Sequence, residues 1–370
     1  MKRKLPMILL CLFLCVGMVI AAGDATDPLV SLSYLNNTYT GQLNTAIEEY
    51  LASKNQNTLA EASGKLQSAV SSLEVKLHSE YAPEFRQQRL NCGDTVAGLT
   101  GMSFLLLAGD VSVYYTEGAV IDVTLGQELP SGSALQPYHR YLCGEDTSVV
   151  YTVTSKTAVV EYEGYYLLTP SPSAVQYTAM ADAMKLLGLF KGSDTGFGQG
   201  FDLEVAPTRI QALIMLLRSL GEEEAALQCT DPHPYQDVPS WCNNYVAYAH
   251  KMGYTNGISP TEFGPNNVIP PNQFVELMLR SLGYSVAGVD DYTTSLERAY
   301  QAGIFTLGEY LTYTSGNFLR ADCVYIFYYL LDVPIKGSST TLGQRLTDAG
   351  VFSFYDLLQA KSMVGSARIA

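Results

Sequence analysis

One hydrophobic pattern recurs in the C-terminal half of the chain. In residues 201–221 and 263–283, a phenylalanine precedes an amphipathic stretch that ends in Leu-Arg-Ser-Leu-Gly, and a shorter copy occupies residues 318–331. Apolar residues at helical spacing predict a helix in each copy. The predicted buried stripes occupy matching positions: Ala212, Met215 and Leu216; Phe274, Leu277 and Met278; Cys323, Ile326 and Phe327. Copies that share core positions predict stacked helical units.

A helix that ends in glycine precedes the second helix of each copy. These glycines, Gly188, Gly253 and Gly303, are expected just past the helix end in the left-handed conformation. The pattern therefore predicts units over residues 174–221, 232–284 and 288–335, the third of them degenerate. Residues 336–370 are left as a C-terminal tail.

The hydrophobic spacing differs before the repeats. Residues 27–90 carry an apolar stripe at helical spacing and predict two amphipathic helices joined near residues 53–57. A simple helical hairpin and a coiled-coil oligomerisation element both fit this stripe. Residues 91–169 change to short alternating runs separated by glycines, which predicts a small β-sandwich or barrel. The fold class is thus multidomain α+β.

Residues 1–25 have the pattern of a secretory signal peptide. Three basic residues precede an apolar run that ends in small residues, and this run is short for a membrane anchor, which is the alternative. We expect a secreted protein, without membrane insertion after cleavage. The net charge of −14 argues against binding to nucleic acid or anionic membranes.

Four cysteines raise the question of disulfides. In an oxidising compartment Cys92 could pair with Cys143, and Cys229 with Cys242, although free thiols fit equally well. The histidines do not cluster with cysteines at zinc spacing, so no metal site is expected. No motif for a cofactor is found, and the oligomeric state stays open.

The middle copy carries the clearest family resemblance. Residues 235–238 (Tyr-Gln-Asp-Val) are followed by Trp241, by residues 263–266 (Phe-Gly-Pro-Asn) and by an apolar helix that ends at Gly283. This combination resembles an S-layer homology domain. The resemblance extends over about residues 174–335 and implies three helical units with pseudo-threefold symmetry. It also implies non-covalent anchoring to the bacterial envelope through secondary cell-wall polysaccharide, which often carries a pyruvate ketal.

The resemblance also implies where the polysaccharide would bind. The family's Thr-Arg-Ala-Glu signature is matched in part by residues 208–211 (Thr-Arg-Ile-Gln) and by residues 319–322 (Leu-Arg-Ala-Asp). Its arginine lies in grooves between units, a place that Arg209 and Arg320 would take here. A guanidinium can hold a carboxylate through two hydrogen bonds, and a helix N-terminus adds N–H donors. Copy two has prolines at 270 and 271 instead.

Other candidate site residues have structural alternatives. Thr208 with Gln211 forms a capping box, which alone explains both residues, and Asp322 occupies the matching position in copy three. Trp241 could stack on a sugar ring or belong to the core. Asp237 could accept hydrogen bonds from sugar hydroxyls or lie near a helix cap.

No catalytic motif is found in the sequence, so a non-catalytic protein is expected. One competing hypothesis is a surface enzyme whose catalytic module is residues 91–168. A second is a protein-interaction scaffold whose repeats have lost sugar binding.

Overall fold

A computed structural model describes residues 40–193, 200–284 and 292–370. Contacts divide the chain into two units, Met1–Val70 and Ser71–Ala370. The predicted signal peptide lies outside the described residues. No helix in the described ranges is both long enough and apolar enough to cross a membrane.

Helix α1 spans Thr40–His78. The prediction of two helices joined near residues 53–57 is therefore wrong, because one helix runs through this stretch. Residues 53–57 contain neither proline nor glycine, and their serine, lysine, asparagine and glutamine cost a helix only tenths of a kcal/mol each, about 0.7 at most. Apolar residues such as Leu59 and Leu66 are exposed.

A β-module follows α1. It begins at Glu80 and not at residue 91, because the first strand lies within the segment predicted as helical. Pro83 and a bulge interrupt the alternation of that strand, which hides it from a period-two search. The strands are β1 Glu80–Asn91, β2 Thr95–Leu99, β3 Ser103–Ala108, β4 Val111–Tyr115, β5 Val120–Asp122, β6 Gln127–Leu129, β7 Arg140–Cys143, β8 Ser148–Val153 and β9 Thr157–Thr169.

The strands form one antiparallel sheet, not the two face-to-face sheets of a sandwich. Its order is β4-β8-β2-β9-β3-β7-β5-β6, and β1 also pairs with β9. The long β9 pairs with β1, β2 and β3, so that the sheet curls around this strand. Tyr141, Tyr151 and Tyr162 are buried in its core.

A helical module occupies the region in which the repeats are predicted. Its helices are α2 Tyr177–Leu186, α3 Arg209–Ser219, α4 Glu223–Leu227, α5 Asn243–Lys251, α6 Pro271–Ser281, α7 Ser295–Gln301, α8 Leu307–Ser315 and α9 Arg320–Leu330. The nine predicted stripe residues on α3, α6 and α9 are all buried, which confirms that prediction. The glycines that follow α2, α5 and α7 have φ of 70°, 72° and 71°, as expected.

Residues 336–370 form more than a tail. They contain α10 Leu342–Asp348 and α11 Phe354–Ser362. Leu342, Leu346 and Ala360 are buried in the same core as the repeats. Beyond α11, the Arg368 guanidinium donates to the buried Glu309 carboxylate of α8 at 2.6 Å. The C-terminal segment is therefore part of the helical module.

Candidate functional site

The start of α3 is joined to a loop of the second copy by backbone hydrogen bonds. The Arg209 N–H donates to the Asn267 carbonyl at 2.8 Å, and the Ile210 N–H donates to the Pro265 carbonyl at 3.1 Å. Because the first N–H groups of a helix have no partner within it, this loop satisfies two of them. We call this contact joint A.

The start of α9 makes the same contact with a loop of the first copy. The Arg320 N–H donates to the Val205 carbonyl at 2.9 Å, and the Ala321 N–H donates to the Leu203 carbonyl at 3.0 Å. The accepting residues stand two and four positions after the loop phenylalanine in both joints. We call this second contact joint B.

The start of α6 differs from both. Pro271 stands where α3 and α9 have an arginine, and proline has no N–H to donate. In the third copy the segment after Gly303 forms α8 instead of an accepting loop. The start of α6 lacks the N–H donor, and the third copy lacks the loop that would accept its hydrogen bond. These two differences are consistent with each other.

Arg209 lies within joint A and is fully buried. Its Nη1 donates to Gln273 Oε1 at 2.8 Å, and its Nη2 makes long contacts with Thr255 Oγ1 at 3.4 Å and with Tyr292 Oη at 3.5 Å. The guanidinium carbon is 5.1 Å from the centre of the Phe263 ring, a cation–π distance. Among the described residues, the groups that contact the Arg209 guanidinium are therefore neutral.

One further arginine, Arg280, approaches the same tyrosine. The guanidinium carbons of Arg209 and Arg280 lie 5.8 and 6.0 Å from the centre of the Tyr292 ring. The buried Glu276 carboxylate accepts from Arg280 Nε at 2.8 Å and from Arg298 Nη2. In the described part of the chain, the Glu276 carboxylate is thus shared by the guanidinium groups of Arg280 and Arg298.

One donor of joint A, and two donors of Arg298, which is linked to joint A through Glu276, Arg280 and Tyr292, have no acceptor among the described residues. Within residues 40–193, 200–284 and 292–370, Arg209 Nε and both Nε and Nη1 of Arg298 are buried without a hydrogen-bond partner. A buried donor left without a partner costs roughly 1–3 kcal/mol. Oxygen atoms of an anionic ligand would satisfy these donors.

Arg320 of joint B is held differently. It is 8% exposed, and its Nε donates to the Phe201 carbonyl at 3.1 Å. Its guanidinium carbon is 5.8 Å from the centre of the Phe190 ring. Burial lowers the pKa of Arg320.

The β-module covers joint B. Lys156 Nζ donates to both carboxylate oxygens of Asp322, at 2.7 and 2.6 Å, and to the Asn317 carbonyl at 2.9 Å. Arg89 pairs with Glu204 at 2.8 Å, and both side chains are only 3% exposed. Burial raises the pKa of Asp322, while the Lys156 ammonium acts in the opposite direction. Joint B is therefore an interface within the protein.

The capping residues take their structural roles. Thr208 accepts from the Gln211 N–H, and the Gln211 side chain accepts from the Thr208 N–H at 3.0 Å, which completes the capping box. Asp322 accepts from the Leu319 N–H at 2.7 Å. The side chains of Thr208, Gln211 and Asp322 thus cap helices α3 and α9.

Of the other two predicted site residues, Asp237 has a structural role and Trp241 lies at the surface. The Asp237 carboxylate accepts from the Phe263 N–H at 2.8 Å and from the Gly264 N–H at 2.7 Å, so it holds the loop of joint A in place. Trp241 is 63% exposed. The core alternative for Trp241 is therefore wrong, and its ring is accessible for stacking.

Neither candidate disulfide forms. Cys92 is exposed with its thiol near the Thr154 carbonyl, whereas Cys143 is buried with its thiol 3.7 Å from the Tyr151 hydroxyl. Cys229 and Cys242 are also free thiols. Burial raises the pKa of Cys143 to about 12. Among the described residues, no group of three or more His, Cys, Asp or Glu side chains could hold a metal ion.

Sequence reasoning missed five residues in or next to joint A: Gln273, Glu276, Arg280, Tyr292 and Arg298. Arg280 stands in the Leu-Arg-Ser-Leu-Gly ending that two copies share, which is a signal that could have found it. Arg298 carries no such signal. It reaches joint A only because α7 packs against α6.

Residues 235–269 match the S-layer homology domain family. The match includes Asp237, Trp241 and the loop of joint A that accepts the hydrogen bonds of α3. The protein contains an S-layer homology domain. Domains of this family typically bind cell-wall polysaccharides, which indicates non-covalent association with the cell wall at the cell surface. No curated protein matches the chain.

Proposed function

We propose that the protein is a secreted, non-catalytic envelope protein and that joint A anchors it by binding an acidic substituent of cell-wall polysaccharide. The observation that carries the proposal is the set of buried guanidinium donors in or next to joint A, which have no acceptor among the described residues. A carboxylate such as that of a pyruvate ketal supplies two oxygens in a plane and suits a guanidinium.

Entry of the ligand requires a rearrangement, because Arg209 is fully buried. Its contacts with the Thr255 and Tyr292 hydroxyls, at 3.4 and 3.5 Å, are long for hydrogen bonds. A carboxylate oxygen that replaces the Tyr292 hydroxyl gives Arg209 a charge-assisted hydrogen bond in place of a weak contact, and the displaced hydroxyl gives up its hydrogen bond to the Gly257 carbonyl at 2.7 Å. Tyr292 therefore acts as the displaceable cover of the site.

We propose a three-unit assembly in which the copies contribute unequally. Among the described residues, Arg209 of joint A keeps a buried donor without an acceptor, whereas at joint B the β-module residues Lys156 and Arg89 pair with the carboxylates of Asp322 and Glu204. The Pro271 start of α6 supplies no cation. The polysaccharide is therefore bound at one joint.

The non-catalytic assignment is supported by the chemistry of the groups present. Joint A presents guanidinium donors, and the nearby Glu276 carboxylate is held by two arginines, an arrangement suited to binding charge. Burial raises the pKa of the Cys143 thiol to about 12, so this β-module thiol stays protonated at neutral pH and is a poor nucleophile.

The test is sedimentation of the full mature chain with purified cell walls, before and after chemical removal of the attached polysaccharide. We expect retention by intact walls and loss of retention by stripped walls. Arg209→Gln should weaken binding roughly 10- to 100-fold, the equivalent of about 1.5–3 kcal/mol for a hydrogen bond to a charged group.

Arg345→Gln is the matched control, because Arg345 forms only a long ion pair of 3.9 Å with Glu222. It should bind walls as the wild type does, and circular dichroism should show that both variants are folded. Equal retention by stripped walls would contradict polysaccharide recognition and favour a protein-interaction scaffold. Unchanged binding by Arg209→Gln would remove joint A from the site.

A further inference from the structure

Two tyrosines form an exposed pair on the β-module. Tyr81 of β1 and Tyr165 of β9 are directly opposite each other in the strand register. They are 61% and 55% exposed, and their ring centres are 4.9 Å apart. Large aromatic faces held side by side in water mark a surface that binds a partner.

A cleft opens beside this pair. The register between β1 and β9 shifts between Ala82 and Arg86, opposite Gly164, which has φ of 97°. Pro83 within the shifted segment has no N–H to pair, which suits a bulge. The cleft has a volume of about 390 Å³ and is lined by residues 80–86 and by Tyr166. This volume lies within the range of about 300–1,000 Å³ that is usual for small-ligand sites.

Charged groups are fixed at the edge of the cleft. Arg86 Nη1 donates to Glu80 Oε2 at 3.3 Å and to the Tyr166 hydroxyl, and that hydroxyl donates to Glu80. The side chains of Arg86 and Glu80 are nevertheless 54% and 72% exposed. They are therefore oriented by one another and still have free N–H groups and oxygen lone pairs for a ligand.

The charge of the cleft distinguishes it from joint A. The exposed carboxylates of Glu80 and Glu84 outnumber the single guanidinium of Arg86. A negatively charged ligand would be repelled here, whereas joint A attracts one. A purely apolar ligand would leave the charged edge without a partner.

We propose that this tyrosine cleft is a second ligand site and that it binds a neutral saccharide. A sugar ring has a C–H face that stacks on the Tyr81 and Tyr165 rings. Its hydroxyl groups donate to the Glu80 and Glu84 carboxylates and accept from Arg86. The site is additional to joint A: the cleft binds a neutral ligand, whereas joint A binds an anionic one.

The experiment is isothermal titration calorimetry of the full mature chain with three neutral probes, chitotetraose, cellotetraose and maltotetraose. We expect at least one probe to bind. The double variant Tyr81→Ala, Tyr165→Ala should bind that probe at least tenfold more weakly. The double variant Tyr81→Phe, Tyr165→Phe should stay within about threefold of the wild type, because stacking needs the ring faces and not the hydroxyls.

Tyr114→Ala is the matched control, since Tyr114 is 61% exposed on β4 of the same sheet. It should bind within twofold of the wild type. The proposal is overturned if no probe binds the wild type, or if the double alanine variant is folded by circular dichroism and binds equally well. Arg209→Gln should bind the probes normally, so this result is independent of wall anchoring at joint A.

Discussion

Joints A and B have the same backbone geometry and different surroundings. In both, the first two N–H groups of a helix donate to carbonyls at equal distances along the neighbouring loop. At joint A the arginine meets neutral groups and, among the described residues, keeps a buried donor without an acceptor. At joint B, Lys156 and Arg89 of the β-module reach over the contact and pair with its carboxylates. The comparison shows that the same backbone contact can be surrounded by different side chains, which is why we propose a ligand site at joint A and not at joint B.

The largest predicted effect comes from replacing Lys156, the β-module residue that pairs with Asp322 at joint B. Lys156→Met should destabilise the fold by about 3–5 kcal/mol at neutral pH, because it leaves the buried Asp322 carboxylate without its ammonium partner. Urea denaturation of the full chain measures this loss. Lys191→Met breaks an ion pair in which Lys191 is 59% exposed, so it should cost about 0–1 kcal/mol.

The cost of Lys156→Met should depend on pH. Burial raises the pKa of Asp322, and removal of the ammonium that opposes this shift raises the pKa further. A carboxyl whose folded pKa lies above its unfolded value stabilises the protein when protonated, so stability falls as pH rises past the unfolded value, about 3.9. The difference from the wild type should therefore grow between pH 5 and pH 8. A cost that is equal at both pH values would contradict this account.

A smaller effect is expected from replacing Asp237, which holds the loop of joint A in place. Asp237→Ala removes an acceptor from two N–H groups of the 263–264 segment, and it should cost about 2 kcal/mol. Because Arg209 rests on Phe263, wall binding should weaken as well. Thermal denaturation and wall sedimentation measure the two effects. Asp231→Ala, which removes an exposed ion pair with Lys251, should change neither.

The smallest effect concerns the Thr208 side chain that caps α3, a position filled by Leu319 at joint B. Thr208→Ala should cost about 1 kcal/mol, because it removes the side-chain acceptor of the Gln211 N–H. Thr208→Ser keeps that acceptor and should restore most of the stability in the same denaturation experiment. A loss of wall binding that exceeds the loss of stability would indicate that the Thr208 hydroxyl contacts the ligand.

The repeat core could be predicted because it depends on local periodicity. The stripe on α6, with Phe274, Leu277 and Met278, and the left-handed glycine at 253 follow from spacing along the chain. The first strand could not be predicted in this way, since Pro83 and the bulge disturb its alternation. The continuity of α1 was missed because polar residues at 53–57 resemble a turn without containing a residue that ends a helix.

The candidate site was predicted only in part. Arg209 and Arg320 follow from the family signature, and the structure places both at joints between copies. Their different surroundings could not be read from spacing, because Lys156 and Arg298 come from distant parts of the chain. Contacts of this kind depend on tertiary packing and leave no local pattern.

The proline at position 271 has a consequence for how the protein can change during evolution. Joints A and B are made by backbone atoms, which every residue except proline supplies, so substitutions at these positions preserve the contact. The contact between α6 and α7 depends instead on the Ser295 hydroxyl, which donates to the Asn272 carbonyl, and on the Arg298–Glu276 pair. The backbone part of joints A and B therefore tolerates sequence drift, while the side-chain contacts between α6 and α7 can be lost by a single substitution.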